Sequence, residues 1–201
     1  LDGRLIGVPF GREGFPDLER DKLGLRPLHA AEKNGLIFVM PNPELDFNID
    51  EVLGGIDEHL AGFGLQDHHY LGAKQVLTDF SWKLNMDTFH EFYNFEHLHT
   101  DSIAQMAFSN LGTYHQYGRN HAMGSATLSI TELESISEED WQPRAYTSHV
   151  HYLFPNSVIF VVEDHFQTWR VYPLSPDRSV VYHSMFLPHA PGSAEQRAEY
   201  D

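Results

Sequence analysis

Between Ser81 and His99 the chain sets Asp87, His90, Glu91, Asn94, His97 and His99 among Trp82, Met86, Phe89, Phe92, Tyr93 and Phe95. Burying that many ionisable groups in an aromatic stretch is costly unless they pair or bind a metal, so the cluster reads as a site. Two histidines and one carboxylate on one face of iron(II), with the other positions open, suit oxygen activation because substrate and dioxygen can both approach the metal. His90, His97 and His99 are the imidazole candidates, and Glu91 and Asp87 the nearby carboxylates. Spacing alone does not choose among them.

The elements that must carry this cluster are also legible. A helix-like stretch over 81–99 would place Met86, Phe89 and Tyr93 on one stripe and Asp87, His90, Glu91 and Asn94 on another. His97 and His99, if extended, would point to the same side. Asn48-Ile49-Asp50-Glu51 is a capping box that opens a helix toward Phe63, with Gly54-Gly55 breaking it in two. Tyr70 to Phe80 leans toward β-structure. Tyr146 to Phe154, Val158 to Val162, Phe166 to Tyr172 and Ser179 to Phe186 are β-branched and aromatic runs separated by turn residues, which is the pattern of an antiparallel meander. Phe154, Phe160, Phe166 and Trp169 are expected in the core. His149 and His151 share a strand face and are expected to be half-buried and bonded to neighbours, as are His165 and His183. The acidic stretch Glu132 to Asp140 reads as an exposed loop. Helices on either side of antiparallel strands make an α+β architecture.

Composition bounds the function. The 201 residues include 14 histidines, no cysteine and a formal net charge of −16, with 41% hydrophobic residues. Such a chain folds as one domain, or one domain plus part of another. The charge disfavours nucleic acid and anionic membrane surfaces as partners. Without cysteine there is no disulfide, thiolate zinc site or iron–sulfur cluster held within these residues. No apolar run approaches a membrane span, and a cytoplasmic protein is the simplest expectation. Both ends read as cut. Leu1-Asp2-Gly3-Arg4-Leu5 is a hairpin signal with no strand before it, and Ser193-Ala194-Glu195-Gln196 is a capping box at the start of a helix that Asp201 would end early.

At Trp82-Lys83, Asp87, Glu91-Phe92-Tyr93 and Leu98-His99 the chain resembles the catalytic (alpha) subunit of the Rieske non-haem iron oxygenases, the aromatic-ring-hydroxylating family. Members carry Trp-Lys, an acidic residue, then Glu or Asp, one residue, Tyr-His, four residues and His. The opening, Asp2-Gly3-Arg4-Leu5, Gly7-Val8-Pro9, Phe15-Pro16, Gly24-Leu25 and Gly35-Leu36-Ile37-Phe38-Val39, is similar to the tail of the family's Rieske domain. The resemblance implies that residues 1–43 are the C-terminal remnant of a Rieske [2Fe-2S] domain, its cluster ligands lying upstream, and that 44–201 are a partial catalytic domain. That domain would be a helix-grip fold, a curved antiparallel sheet with flanking helices.

The resemblance further implies a mononuclear Fe(II) that activates dioxygen to hydroxylate an apolar, aromatic substrate. Electrons would come from a ferredoxin or reductase through the Rieske cluster, within a homotrimer or alpha/beta oligomer. By register Glu91 is the carboxylate that bridges the electron route and His99 the second histidine ligand. The first falls on Asn94, where an amide oxygen is a poor substitute for imidazole. Asn94 is therefore expected to weaken iron binding or to force His97 or His90 into its place. Ser81 stands where the family usually has asparagine. The alternative is a non-catalytic relative that keeps the pocket and binds an apolar ligand or a partner subunit.

Overall fold

The structure, a computed structural model, describes residues 2–200, which form two compact units, one ending at Ile49 and one beginning at Asp50. In the first, a one-turn helix α1 (Gly11–Gly14) precedes a two-stranded hairpin, β1 (His29–Lys33) and β2 (Leu36–Met40). Its turn, Asn34-Gly35, has positive φ at both residues (53° and 78°), as a tight hairpin between right-twisted strands requires. The signal at Asp2-Gly3 makes no ladder. Gly3 turns at φ 77° and its carbonyl accepts from the Leu25 amide at 2.8 Å.

In the second unit, Gly54 and Gly55, both at positive φ, separate α2 (Ile49–Leu53) from α3 (Ile56–Ala61) as expected. Strand β3 (His69–Thr78), helices α4 (Trp82–Asp87) and α5 (Phe95–Leu98), strands β4 (Ala107–Tyr117), β5 (Asn120–Thr127), β6 (Thr147–Leu153), β7 (Ser157–Val161), β8 (Phe166–Ser175) and β9 (Arg178–Leu187), and helix α6 (Ala194–Ala198) follow. The strands form one sheet in the order β3-β9-β8-β7-β6-β5-β4, antiparallel throughout. This is the helix-grip-like α+β architecture, and β6 to β9 are the meander that the turn residues mark. At α6 the Ser193 side chain caps the helix by accepting from the Gln196 amide at 3.2 Å. The acidic stretch is exposed apart from Leu133 and is wound into 3₁₀ turns.

Strands β4 and β5 are the elements that composition did not reveal. Asn110, Gly112, Asn120 and Gly124 dilute their β-propensity. The signal that could have found them is the two-residue loop Gly118-Arg119, with Gly118 at φ 62° and Tyr117 paired to Asn120.

Alternation across the strands gives the sheet two faces. On the front, Met123, Val150, Val158, Val171 and Val181 pack with Met86 of α4, flanked by Trp82, Phe89, Phe92, Tyr152, Phe160 and Trp169. Each fully buried aliphatic side chain of this kind stabilises the fold by about 1.5–3 kcal/mol. Phe166 is buried as expected, but Phe154 is not core: it lies exposed beside the β6–β7 turn, with the Arg119 guanidinium 4.4 Å above its ring. On the back, α2 and α3 bury Leu53, Ile56 and Leu60. No helix among the described residues is long and apolar enough to cross a membrane.

Candidate functional site

The cluster lies on the front face, on the segment that begins with α4. Ser81 caps that helix by accepting from the Lys83 amide at 3.2 Å, a bond that its hydroxyl supplies as readily as an asparagine would. Buried Asn85 fixes the helix to the sheet, donating to Thr78 Oγ1 at 3.2 Å and Ser179 Oγ at 3.4 Å, while Ser179 donates to the Phe80 carbonyl at 3.0 Å.

The single helical stretch expected over 81–99 does not form. After Asp87 the chain tightens into i→i−3 bonds at Phe89 and His90, and only Phe95–Leu98 is helical again. Aromatic residues lose rotamer freedom in a helix, and here Phe89, Phe92 and Phe95 turn instead toward contacts with β-strands and one another. The two expected stripes are broken as a result, and Tyr93 is exposed rather than packed with Met86. His97 and His99 are not extended either. Two positions apart on one helical turn, they point to different sides, His97 exposed and His99 half-buried beside the Phe95 ring at 6.3 Å.

Asn94 is 6% exposed and its amide donates to Glu91 Oε1 at 3.1 Å, leaving its own Oδ1 buried without a partner. Glu91 is half-buried and also receives a hydrogen bond from Tyr93, which raises the phenol's pKa above its ordinary value. Glu96 on α5 accepts from Ser109 of β4 at 2.6 Å, which ties the segment to the sheet edge.

His90 reaches inward, its ring 4.5 Å from His121 and 5.1 Å from Tyr152, while Asp87 stays at the surface. Burial lowers the His90 pKa, with Asp87 and the Met86 carbonyl acting in the opposite sense. Burial, then His90, lowers His121 to about 4. Both imidazoles are therefore neutral near pH 7. His121 belongs to β5, and missing that strand in the sequence meant missing this neighbour. His165 and His183 have bonded roles: His165 Nδ1 meets Asp164 at 2.7 Å, and His183 Nε2 meets Gln167 Oε1 at 2.9 Å.

These residues do not fit a mononuclear iron. Among the described residues no group of three histidine, cysteine, aspartate or glutamate side chains is placed to hold a metal ion. Glu91 and Asn94 are brought together, but by a bond to each other. His97 and His99 are turned apart, and the amide at position 94 offers a neutral oxygen where imidazole nitrogen is needed.

Close packing beneath the segment supports a first prediction. A Cβ on Gly112 would lie 2.6 Å from the Gly124 carbonyl oxygen and 2.6 Å from the Phe92 ring. Gly112→Ala is expected to lower stability by about 1–3 kcal/mol through overpacking and to displace Phe92, the neighbour of Glu91. Urea denaturation of the variant checks this, and an unchanged midpoint would contradict the packing described.

The family model for the ring hydroxylating alpha subunit (catalytic domain) matches residues 65–200. No curated protein matches the chain. Among solved structures, the quaternary ammonium Rieske monooxygenase CntA in complex with an inhibitor is similar with a TM-score of 0.81 at 14% identity, covering 100% of this chain and 52% of that one. Naphthalene 1,2-dioxygenase from Rhodococcus sp., bound to indole, is similar with a TM-score of 0.69 at 20% identity, covering 98% and 53%. The chain thus spans about half the length of these solved relatives.

Proposed function

The chain belongs to the ring-hydroxylating alpha-subunit family of Rieske oxygenases, its residues 65–200 matching the catalytic domain, and from that premise we propose that it carries the catalytic segment of a Rieske-type oxygenase whose iron position is impaired at Asn94. The observation that carries this reading is the match of residues 65–200 to the catalytic domain, on the unit whose 81–99 segment covers the aromatic face of the sheet. Iron(II) at this position would supply dioxygen activation in the family's chemistry, and the side chains as arranged here would hold it poorly. The chain's own parts are Glu91 as the carboxylate on the electron route, His99 as one imidazole, and the front-face aromatics as the wall against which an apolar, aromatic substrate lies. Residues 1–43 would end a Rieske domain whose [2Fe-2S] cluster takes electrons from a ferredoxin or reductase, in a trimer or alpha/beta oligomer.

One observation favours a second reading. The amide that replaces the expected ligand is bonded to the very carboxylate that the electron route needs, so a helix-grip scaffold that binds an apolar ligand or partner subunit without oxygenation accounts for both residues. Substrate-dependent oxygen uptake by the full-length chain, with its cluster reduced, separates the two. Uptake coupled to a hydroxylated product supports the oxygenase. No uptake while the cluster is present and reduced supports the scaffold.

A further inference from the structure

On the back of the sheet a second set of histidines takes no part in the site just described. His59 of α3 lies with its ring 5.0 Å from His151 and 6.1 Å from His149, both on β6, and Phe63 packs against the same two rings at 5.1 Å each. His151 is completely buried. Its Nδ1 donates to the Ile159 carbonyl at 3.3 Å, which leaves Nε2 unprotonated, and that atom and His59 Nε2 are both buried without partners. His149 Nε2 bonds Thr147 Oγ1 at 2.9 Å.

We propose that His59, His149 and His151 form an acid-sensitive latch, fastening α3 to the back of the sheet while neutral and releasing it when they take up protons. The surroundings reject positive charge from every side. From the loop before β6, Arg144 donates to the Gly62 carbonyl and sits 4.2 Å over the Phe63 ring; from β4 come His115 and, with its ring 6.2 Å from His59, Tyr117. On α3 itself Glu58 is exposed and Asp57, two positions before His59, is half-buried, and neither is among the groups acting on the three rings. Every charged group acting on the three imidazoles is itself a histidine or Arg144. A protonated ring would be a buried cation with no counter-charge, beside others of its kind. Burial foremost, with these neighbours, lowers His151 to about 3 and His149 to about 4, and lowers His59 as well.

The sign follows from linkage. A released or unfolded histidine titrates near 6.5, so between that value and the lowered ones the open state binds more protons and closure weakens as pH falls. Full stability is present above pH 6.5 and is lost progressively below it. Each excluded proton shifts the opening equilibrium up to about tenfold per pH unit, so two or three act at about a hundredfold to a thousandfold.

Hydrogen exchange of the full-length chain, corrected for intrinsic rates, tests the latch between pH 7 and pH 5. The hydrogen-bonded amides of α3 are expected to open with a slope that rises to at least two protons below pH 6, while those of β8 and β9 stay protected. In His59→Phe the slope should fall by about one proton, and in the His149→Phe, His151→Phe double variant by about two. His59→Phe, on a half-buried helix position, keeps the test available if the double variant does not fold. A flat pH response, a slope unchanged in His59→Phe, or simultaneous opening of β8 and β9 would each overturn the proposal.

Discussion

Replacing Asn94 by histidine raises the iron(II) affinity of the full-length chain by about tenfold or more, the scale on which ligand and supporting groups of metal sites act. Imidazole supplies a basic nitrogen where the carboxamide supplies a weak neutral oxygen. The substitution also removes the amide that now donates to Glu91 and frees that carboxylate. The buried, unpartnered Oδ1 of Asn94 is one acceptor that the new side chain need not replace, so the exchange does not orphan a hydrogen-bonded partner at that atom. Titration with ferrous iron followed by metal analysis gives the affinity, and Asn94→Ala is the control in which it should not rise. Equal affinity in wild type and Asn94→His would mean that the register is wrong or that another histidine already serves.

Asn120→Ala is expected to lower the unfolding free energy by about 3–5 kcal/mol, a large share of a domain's stability. Asn120 is 2% exposed and joins three elements. Its Nδ2 donates to the carbonyls of Val52 at 2.7 Å and Leu53 at 3.0 Å, and its Oδ1 accepts from the Phe154 amide at 2.9 Å. Those two carbonyls belong to the end of α2, where intrahelical partners run out, so the side chain caps the helix and pins it to the β4–β5 hairpin. Alanine leaves two acceptors and a donor unsatisfied with no group to replace them. Urea denaturation measures the loss, and a change below about 1 kcal/mol would show that water takes over the bonds.

What could be read in the sequence follows physical lines. The meander was legible because β-branched runs alternate with turn residues, and the break between α2 and α3 because two adjacent glycines cannot continue a helix cheaply. Ser193 and Gln196 announced α6 by their spacing. The Ser81–His99 stretch was legible as a cluster but not as a shape. Periodicity predicts one helix, whereas the aromatic side chains find better contacts on the sheet when the chain leaves the helix after Asp87. Residues that arrive from distant strands stayed hidden: His121, Tyr152 and Asn120 have no local pattern that ties them to positions 90 or 53. His149 and His151 share one face and have bonded neighbours, as alternation predicts, but His151 is fully buried rather than half-buried because α3 covers it. Their full environment, with His59 arriving from a helix some ninety residues earlier, is a product of the fold.

Iron content of the full-length wild-type protein, measured per chain with any cluster iron subtracted, tests the account most directly. Asn94 bonded to Glu91, with His97 and His99 turned apart, predicts mononuclear iron well below one per chain after purification without added metal. One tightly held mononuclear iron per chain would contradict it.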